Sequence, residues 1–132
     1  MLKKIGFYGL SHLGLCYSAA YAKKNLNVIA VDLDKKKIKN LKKNILDIYE
    51  KDLVKITKSK NILYSNNIND LKKCDIVFFS NDVKTNVKNI SNISDIRRQI
   101  LYLDKKIDKT IPVIILSQVT PGFTRSLGLN RN

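Results

Sequence analysis

Short apolar runs alternate with longer amphipathic stretches along this chain, and that alternation restricts the fold more than any other feature. Runs such as Val28–Val31 and Ile76–Phe79 have the length of a buried strand. The stretches between them repeat apolar residues every three or four positions, as helices do. Strands that alternate with helices are typical of a parallel sheet covered on both faces. We therefore predict an α/β domain with a doubly wound, mostly parallel sheet of about five strands flanked by helices.

The same pattern predicts approximate bounds for each element. Strands are expected at residues 3–9, 27–32, 61–64, 75–80 and 111–117. Helices are expected at 12–24, 34–44, 51–58 and 94–108, with a helical turn at 67–73, a polar loop at 81–92 and a last helix from Phe123. Ile38, Leu41 and Ile45 are the expected buried stripe of the second helix. We expect a domain over residues 1–127 and a polar tail over 128–132.

The loop between the first strand and the first helix reads Gly9-Leu10-Ser11-His12-Leu13-Gly14. It fits the dinucleotide-binding pattern G-x-G-x-x-G except that Ser11 replaces the middle glycine. In that pattern the first glycine permits a tight turn and the last permits close helix–sheet packing, while the helix N-terminus offers N–H groups to a pyrophosphate. Ser11 either weakens binding by adding a Cβ or gives the phosphate a hydroxyl hydrogen bond. Gly9, Ser11, His12, Leu13 and Gly14 are candidate cofactor-binding residues.

Asp32 ends the second strand, about 20 residues after Gly9, where such domains carry the acid that binds the adenosine ribose. A carboxylate there repels a 2′-phosphate, so NAD is favoured over NADP, although the lysines at 35–37 soften that preference. Strand, glycine loop, helix, strand and acid in this order are typical of a Rossmann domain.

The formal net charge of +14 comes almost entirely from lysines spread along the chain. A nucleic-acid-binding protein more often interleaves arginines with aromatic residues on one face, so a solvated lysine surface is the preferred interpretation and a nucleic-acid partner is not expected. No apolar run approaches the ~18 residues of a membrane span, and no signal peptide is evident. A cytoplasmic location without a membrane partner is expected.

Cys16 and Cys74 are far apart and lie in apolar surroundings, which favours two reduced core residues. His12 is the sole histidine, and the sequence does not show a carboxylate or nucleophile that would partner it in catalysis. With one histidine and no evident ligand cluster, the sequence predicts neither a disulfide nor a metal site.

Five segments, in order along the chain, resemble the UDP-glucose/GDP-mannose dehydrogenase family. They are Ile5–Cys16 (the family's G-L-G-x-x-G-L loop), Val31–Ile38, Ile48–Glu50 (I-Y-E), Asp70–Phe79 and Ser117–Arg125 (S-T-V-x-x-G-T-T-R). The resemblance implies that Asp32 and Lys37 both contact the adenosine ribose. It also implies cofactor contacts for Ser80, Ser117 and Gln118. Gln118 stands where the family has a threonine near the nicotinamide, and residues 81–84 replace its V-P-T-P turn.

The resemblance implies an NAD-dependent oxidation of a UDP-glucose-type C6 alcohol to a carboxylate. The family's nucleophilic cysteine and sugar-binding domain would follow this segment, so we predict no catalytic residue here, a chain inactive alone, and sugar-nucleotide binding only with those further domains. A homodimer is compatible with the complete enzyme. A gene fragment, a frameshifted remnant and a piece of a split enzyme stay open. So do a non-catalytic NAD-binding module and a dehydrogenase of the 6-phosphogluconate/3-hydroxyacid type.

Overall fold

The computed structural model describes residues 4–87 and 92–130, and its centre is a five-stranded sheet in which every pairing is parallel. The strands are β1 (Lys4–Tyr8), β2 (Asn27–Val31), β3 (Ile62–Ser65), β4 (Ile76–Phe79) and β5 (Val113–Ile115). The helices are α1 (His12–Lys23), α2 (Lys35–Lys42), α3 (Leu53–Thr57), α4 (Ile93–Lys106) and α5 (Phe123–Ser126), with a 3-10 helix at Ile68–Lys73. The predicted Rossmann-like α/β class is confirmed.

The strand order is β3-β2-β1-β4-β5, so the chain first adds strands on one side of β1 and then, from β4 onward, on the other side. The order of the strands therefore reverses at β1. In register, Tyr8 at the end of β1 lies beside Val31 of β2 and Phe79 of β4. The carboxyl ends of these three strands therefore meet at one edge of the sheet. In open α/β sheets, ligands bind in the crevice outside such a reversal point.

Successive residues of the central strands face opposite layers of core, which explains why these strands are apolar throughout. Phe7 and Phe78 are buried on the α1 side, where their rings stack with centroids 5.1 Å apart. Tyr8 and Phe79 are buried on the α4 side, where their rings meet edge to face. Both faces of the sheet are thus covered, and the candidate functional groups lie at the carboxyl ends of its strands.

The described helices are short, and α4 buries Ile96, Ile100 and Leu103, which are spaced three or four residues apart. In α2, Ile38 and Leu41 are buried as predicted, but the expectation for Ile45 is wrong, since it is 54% exposed. The helix ends at Lys42, and Asn44 takes a left-handed conformation that turns the chain away. Within the described ranges, no helix has the length and apolarity needed to cross a membrane.

The remaining differences lie at element ends. The fifth strand covers Val113–Ile115, within the predicted 111–117, and pairs with β4 in the described sheet. Residues 88–91 of the predicted polar loop, residue 3 of the first predicted strand and residues 131–132 of the predicted tail lie outside the described residues. Leu129 of that predicted tail packs against the core on the α4 side.

Candidate dinucleotide-binding site

Two glycines allow the loop after β1 to pass close to its neighbours. Gly9 has a φ of 93°, and a Cβ there would lie 2.1 Å from Oδ1 of Asn81. A Cβ on Gly14 would lie 2.2 Å from the carbonyl oxygen of Gly9 and 2.4 Å from Oγ of Ser80. Real Cβ atoms do not approach other atoms this closely, so both positions require glycine. These are the first and last glycines of the G-x-G-x-x-G pattern, and the structure explains both.

Ser11, which replaces the middle glycine, is the N-cap of α1. Its hydroxyl oxygen accepts a hydrogen bond from the N–H of Gly14 at 3.4 Å, and the hydroxyl donates to the carbonyl oxygen of Ser80 at 2.5 Å. The next two N–H groups of α1, those of His12 and Leu13, have no partner within the helix. They lie at the positive end of the helix dipole, where a phosphate binds most favourably.

Asp32 follows β2, and its carboxylate turns back toward the glycine loop. Oδ2 accepts a hydrogen bond from the N–H of Leu10 at 3.0 Å, and Oδ1 accepts one from the N–H of Asp34 at 3.0 Å. Nζ of Lys37, on the first turn of α2, lies 3.8 Å from Oδ2. The structure thus brings together Asp32 and Lys37, which the sequence singled out. An ionised carboxylate has about four acceptor positions, so two hydrogen bonds leave Asp32 able to accept others.

A first cleft of about 470 Å³ opens between the ends of β1, β2 and β4. It is lined by Gly9, Ser11, Asp32, Lys37, Gln99, Tyr8, Leu33, Asn81, Asp82 and Lys84. Burial, Tyr102 and Asp32 together raise the pKa of Tyr8 to about 12, so its phenol stays protonated near neutral pH. The cleft therefore offers a carboxylate, an amine and a neutral phenol within one space.

A second cleft of similar volume, about 470 Å³, lies on the other side of Asn81 and Asp82. It is lined by His12, Leu13, Cys16, Ser80, Asn81, Asp82, Val83, Leu116, Ser117 and Gln118. The ten predicted cofactor-binding residues thus surround the end of β1. Gly9, Ser11, Asp32 and Lys37 line the first cleft, His12, Leu13, Ser80, Ser117 and Gln118 line the second, and Gly14 packs beneath the loop.

Asn81 lines both clefts and is not among the site residues predicted from the sequence. Its carbonyl oxygen accepts a hydrogen bond from Oγ of Ser117 at 2.5 Å, and its Nδ2 donates to Oε1 of Gln99 at 2.6 Å. These contacts join the loop after β4 to the loop after β5 and to α4. Asn81 could have been found from its position directly after a buried strand of the parallel sheet, where ligand-binding residues concentrate.

The fold brings together three side chains of metal-ligating type that do not form an evident cluster in the sequence. His12, Cys16 and Glu50 come together beside the second cleft, with one ligand atom from each within 4.8 Å of the others. Nε2 of His12 lies 2.7 Å from Oε1 of Glu50, so the sole histidine has a carboxylate partner. Of the two cysteines expected in the core, Cys74 is buried and Cys16 is half-buried. Burial is the main cause that raises the pKa of each thiol, that of Cys74 to about 12.

Comparison with solved structures shows the same fold in several dehydrogenases. UDP-D-ManNAc dehydrogenase from Pyrococcus horikoshii matches with a TM-score of 0.85 and 21% identity, over 98% of this chain and 33% of that protein. GDP-mannose dehydrogenase from Pseudomonas aeruginosa matches with a TM-score of 0.82 and 17% identity, over 93% of this chain and 30% of that protein. UDP-glucose dehydrogenase from Pyrobaculum islandicum matches with a TM-score of 0.82 and 14% identity, over 97% of this chain and 33% of that protein. The chain spans about a third of the length of these structures.

No curated protein matches the chain. The model of one protein family, described as the UDP-glucose/GDP-mannose dehydrogenase family, NAD binding domain, matches residues 3–130. That match covers nearly the whole sequence and favours this family over the 6-phosphogluconate/3-hydroxyacid alternative. The chain belongs to the UDP-glucose/GDP-mannose dehydrogenase family and corresponds to its NAD-binding domain.

Proposed function

We propose that this chain holds NAD across the end of β1 as the cofactor-binding part of a nucleotide-sugar 6-dehydrogenase of the UDP-glucose type. In this proposal the adenosine half lies in the first cleft, the pyrophosphate lies at the N-terminus of α1, and the nicotinamide half lies in the second cleft. The observation that carries it is the approach of Asp32 to the glycine loop, where its carboxylate accepts the N–H of Leu10 at 3.0 Å.

The carboxylate of Asp32 would accept hydrogen bonds from the two ribose hydroxyls of the adenosine. Its present hydrogen bonds, from the N–H groups of Leu10 and Asp34, hold it in one orientation before any ligand arrives. Lys37 would contact the same ribose, and its Nζ lies 3.8 Å from the carboxylate. Because the negative charge of Asp32 opposes a 2′-phosphate, the pocket favours NAD over NADP.

The pyrophosphate would be bound mainly by backbone. Gly9 and Gly14 allow the loop to lie flat against β4, and the first N–H groups of α1 point out of the helix end. The hydroxyl of Ser11 is already bonded to the carbonyl oxygen of Ser80, so we infer that Ser11 shapes the loop and does not bind the phosphate itself.

When bound, NAD supplies the hydride-accepting chemistry, and the residues of this chain bind and orient it. Ser80, Ser117 and Gln118 border the second cleft, where they would fix the nicotinamide ring. Gln118 is larger than the threonine at this position in the family, so it would narrow the approach to the ring. We propose that oxidation of the sugar requires groups beyond these residues, and that the chain alone does not turn over.

Calorimetry of the purified 132-residue chain with NAD, NADP and UDP-glucose tests this proposal. We expect heat of binding with NAD, weaker binding with NADP and no heat with UDP-glucose. No binding of NAD would reject the proposed site, and preference for NADP would reject the role of Asp32. Reduction of NAD in the presence of UDP-glucose, followed by absorbance, would reject the proposal that the chain is inactive alone.

A further inference from the structure

Three side chains of metal-ligating type meet beside the second cleft, away from the residues that the proposed NAD site needs for the adenosine ribose. His12 and Cys16 are four residues apart on α1, so their side chains share one face of the helix. Glu50 comes from the segment between α2 and α3 and reaches the same face. One ligand atom from each residue lies within 4.8 Å of the other two.

We propose that His12, Cys16 and Glu50 form a binding site for a divalent cation of the zinc class. Imidazole nitrogen, thiolate sulfur and carboxylate oxygen are the three ligand types that Zn²⁺ takes in proteins. Mg²⁺ and Ca²⁺ prefer sites built from oxygen ligands alone, so this ligand set excludes them. Three protein ligands leave the fourth tetrahedral position to water.

The present geometry is close to what such a site needs. At normal zinc bond lengths, tetrahedral ligand atoms are about 3.3–3.6 Å apart. Nε2 of His12 and Oε1 of Glu50, now 2.7 Å apart, would move apart slightly, and Sγ of Cys16 already lies within 4.8 Å of a ligand atom of each. The side chains of His12 and Glu50 are 55% and 45% exposed, so rotation of these side chains can supply the movement.

The cation would join the segment before α3 to the first turns of α1. In the described structure Nε2 of His12 already lies 2.7 Å from Oε1 of Glu50 across this gap. Metal ligation replaces that solvent-exposed contact with two bonds to one ion and adds a third from Cys16. Binding of the cation should therefore stabilise the folded chain, since a ligand that binds only the folded state raises its stability.

Titration of the reduced chain with Co²⁺ tests the site, because a thiolate bound to Co²⁺ gives a charge-transfer band in the near ultraviolet. We expect a band that saturates at one equivalent and disappears when Zn²⁺ is added. Cys16→Ser should abolish the band. His12→Gln and Glu50→Gln should each weaken Co²⁺ binding at least about tenfold.

Two matched controls should bind Co²⁺ as the parent does. Cys74→Ala removes the other thiol, and Asp52→Asn removes a nearby carboxylate while keeping a residue that tolerates the left-handed conformation found there. Absence of the band in the parent would overturn the proposal. So would a band that needs Cys16 but keeps its affinity in His12→Gln and Glu50→Gln, because that result describes a lone thiol.

A second measurement needs no variant. Alkylation of Cys16 by iodoacetamide, followed by peptide mass spectrometry, should slow strongly when one equivalent of Zn²⁺ is present, and the thermal unfolding midpoint should rise with Zn²⁺ concentration. An unchanged alkylation rate would overturn the site. NAD calorimetry on the chain without added metal reports separately on the proposed function, so failure of one proposal is distinguishable from failure of the other.

Discussion

The buried hydroxyl of Ser80 donates a hydrogen bond of 2.6 Å to the carbonyl oxygen of Gly9 and so joins the end of β4 to the loop after β1. Gly14 packs against the same two groups, because a Cβ on it would meet both. The hydroxyl of Ser11 reaches the backbone of Ser80 from the other side. The loop proposed to bind the pyrophosphate is therefore held by the neighbouring strand as well as by its own helix.

Ser80→Ala should lower the free energy of unfolding by about 1–3 kcal/mol, because a buried carbonyl loses its donor. Urea denaturation measures this change. Ser94→Ala is the matched control, since Ser94 is an exposed serine on α4 and its loss should change stability by less than about 0.5 kcal/mol. Equal stabilities for the two variants would show that the bond between Ser80 and Gly9 contributes nothing.

Gly14→Ala should destabilise the fold by about 1–3 kcal/mol and weaken NAD binding, because the new methyl group would overlap the carbonyl oxygen of Gly9. At an open helical position the same change stabilises by roughly 1 kcal/mol, so the sign of the effect is diagnostic. Thermal unfolding and NAD calorimetry measure the two effects. A stabilised variant would mean that the loop does not pass as close to α1 as described.

Ser11→Gly restores the middle glycine of the loop pattern and should change stability and NAD binding in opposite directions. Loss of the serine hydrogen bonds should lower the free energy of unfolding by about 0.5–1.5 kcal/mol. Loss of the Cβ should tighten NAD binding. Ser11→Ala, which keeps the Cβ but not the hydroxyl, should lose stability without the gain in affinity. Weaker NAD binding by Ser11→Gly would instead indicate that the hydroxyl bonds the phosphate.

Asp32→Ala should weaken NAD binding roughly ten- to hundredfold, because hydrogen bonds to a charged acceptor contribute about 1.5–3 kcal/mol. It should also reduce the preference for NAD over NADP. Asp34→Ala is the control, since it removes an equal charge two residues away but from the N-cap of α2. Superimposable NAD titrations for Asp32→Ala and the parent would reject the ribose contact.

Acid should destabilise the chain partly through Asp70. Hydrogen bonds from Ser65 and Lys73 hold the pKa of Asp70 below its usual value. A carboxyl with a lowered pKa in the folded state contributes its stability fully above the unfolded pKa of about 3.9, and that contribution is lost as the pH falls through the folded pKa. Asp70→Asn should therefore lose less stability than the parent below about pH 4, as measured by urea denaturation across that range. Parallel stability curves would contradict this assignment.

Local patterns predicted the parts of the site that depend on neighbouring residues in the chain. The turn at Gly9, the helix that begins after Ser11 and the acid at Asp32 belong to one strand–loop–helix–strand segment, so their spacing specifies their geometry. The burial of Ile38 and Leu41 follows from helical periodicity. Ile45 was predicted wrongly because periodicity does not show where a helix stops.

Contacts between distant segments were not predictable in the same way. Asn81 meets Gln99 of α4, and Glu50 meets His12 of α1, only because the packing of the helices on the sheet brings distant segments together. The register of the strands in that sheet depends on how all their buried faces pack together.

The sequence by itself determined the class of fold through its alternation of strands and helices. It also located the glycine loop and Asp32, because both lie in one short strand–loop–helix–strand segment. The tertiary structure alone decided which loops share a cleft, what holds Ser11 and Ser80 in place, and that Cys16 has a histidine and a carboxylate beside it. Those relationships depend on the order of the strands in the sheet, which brings together residues that lie far apart in the sequence.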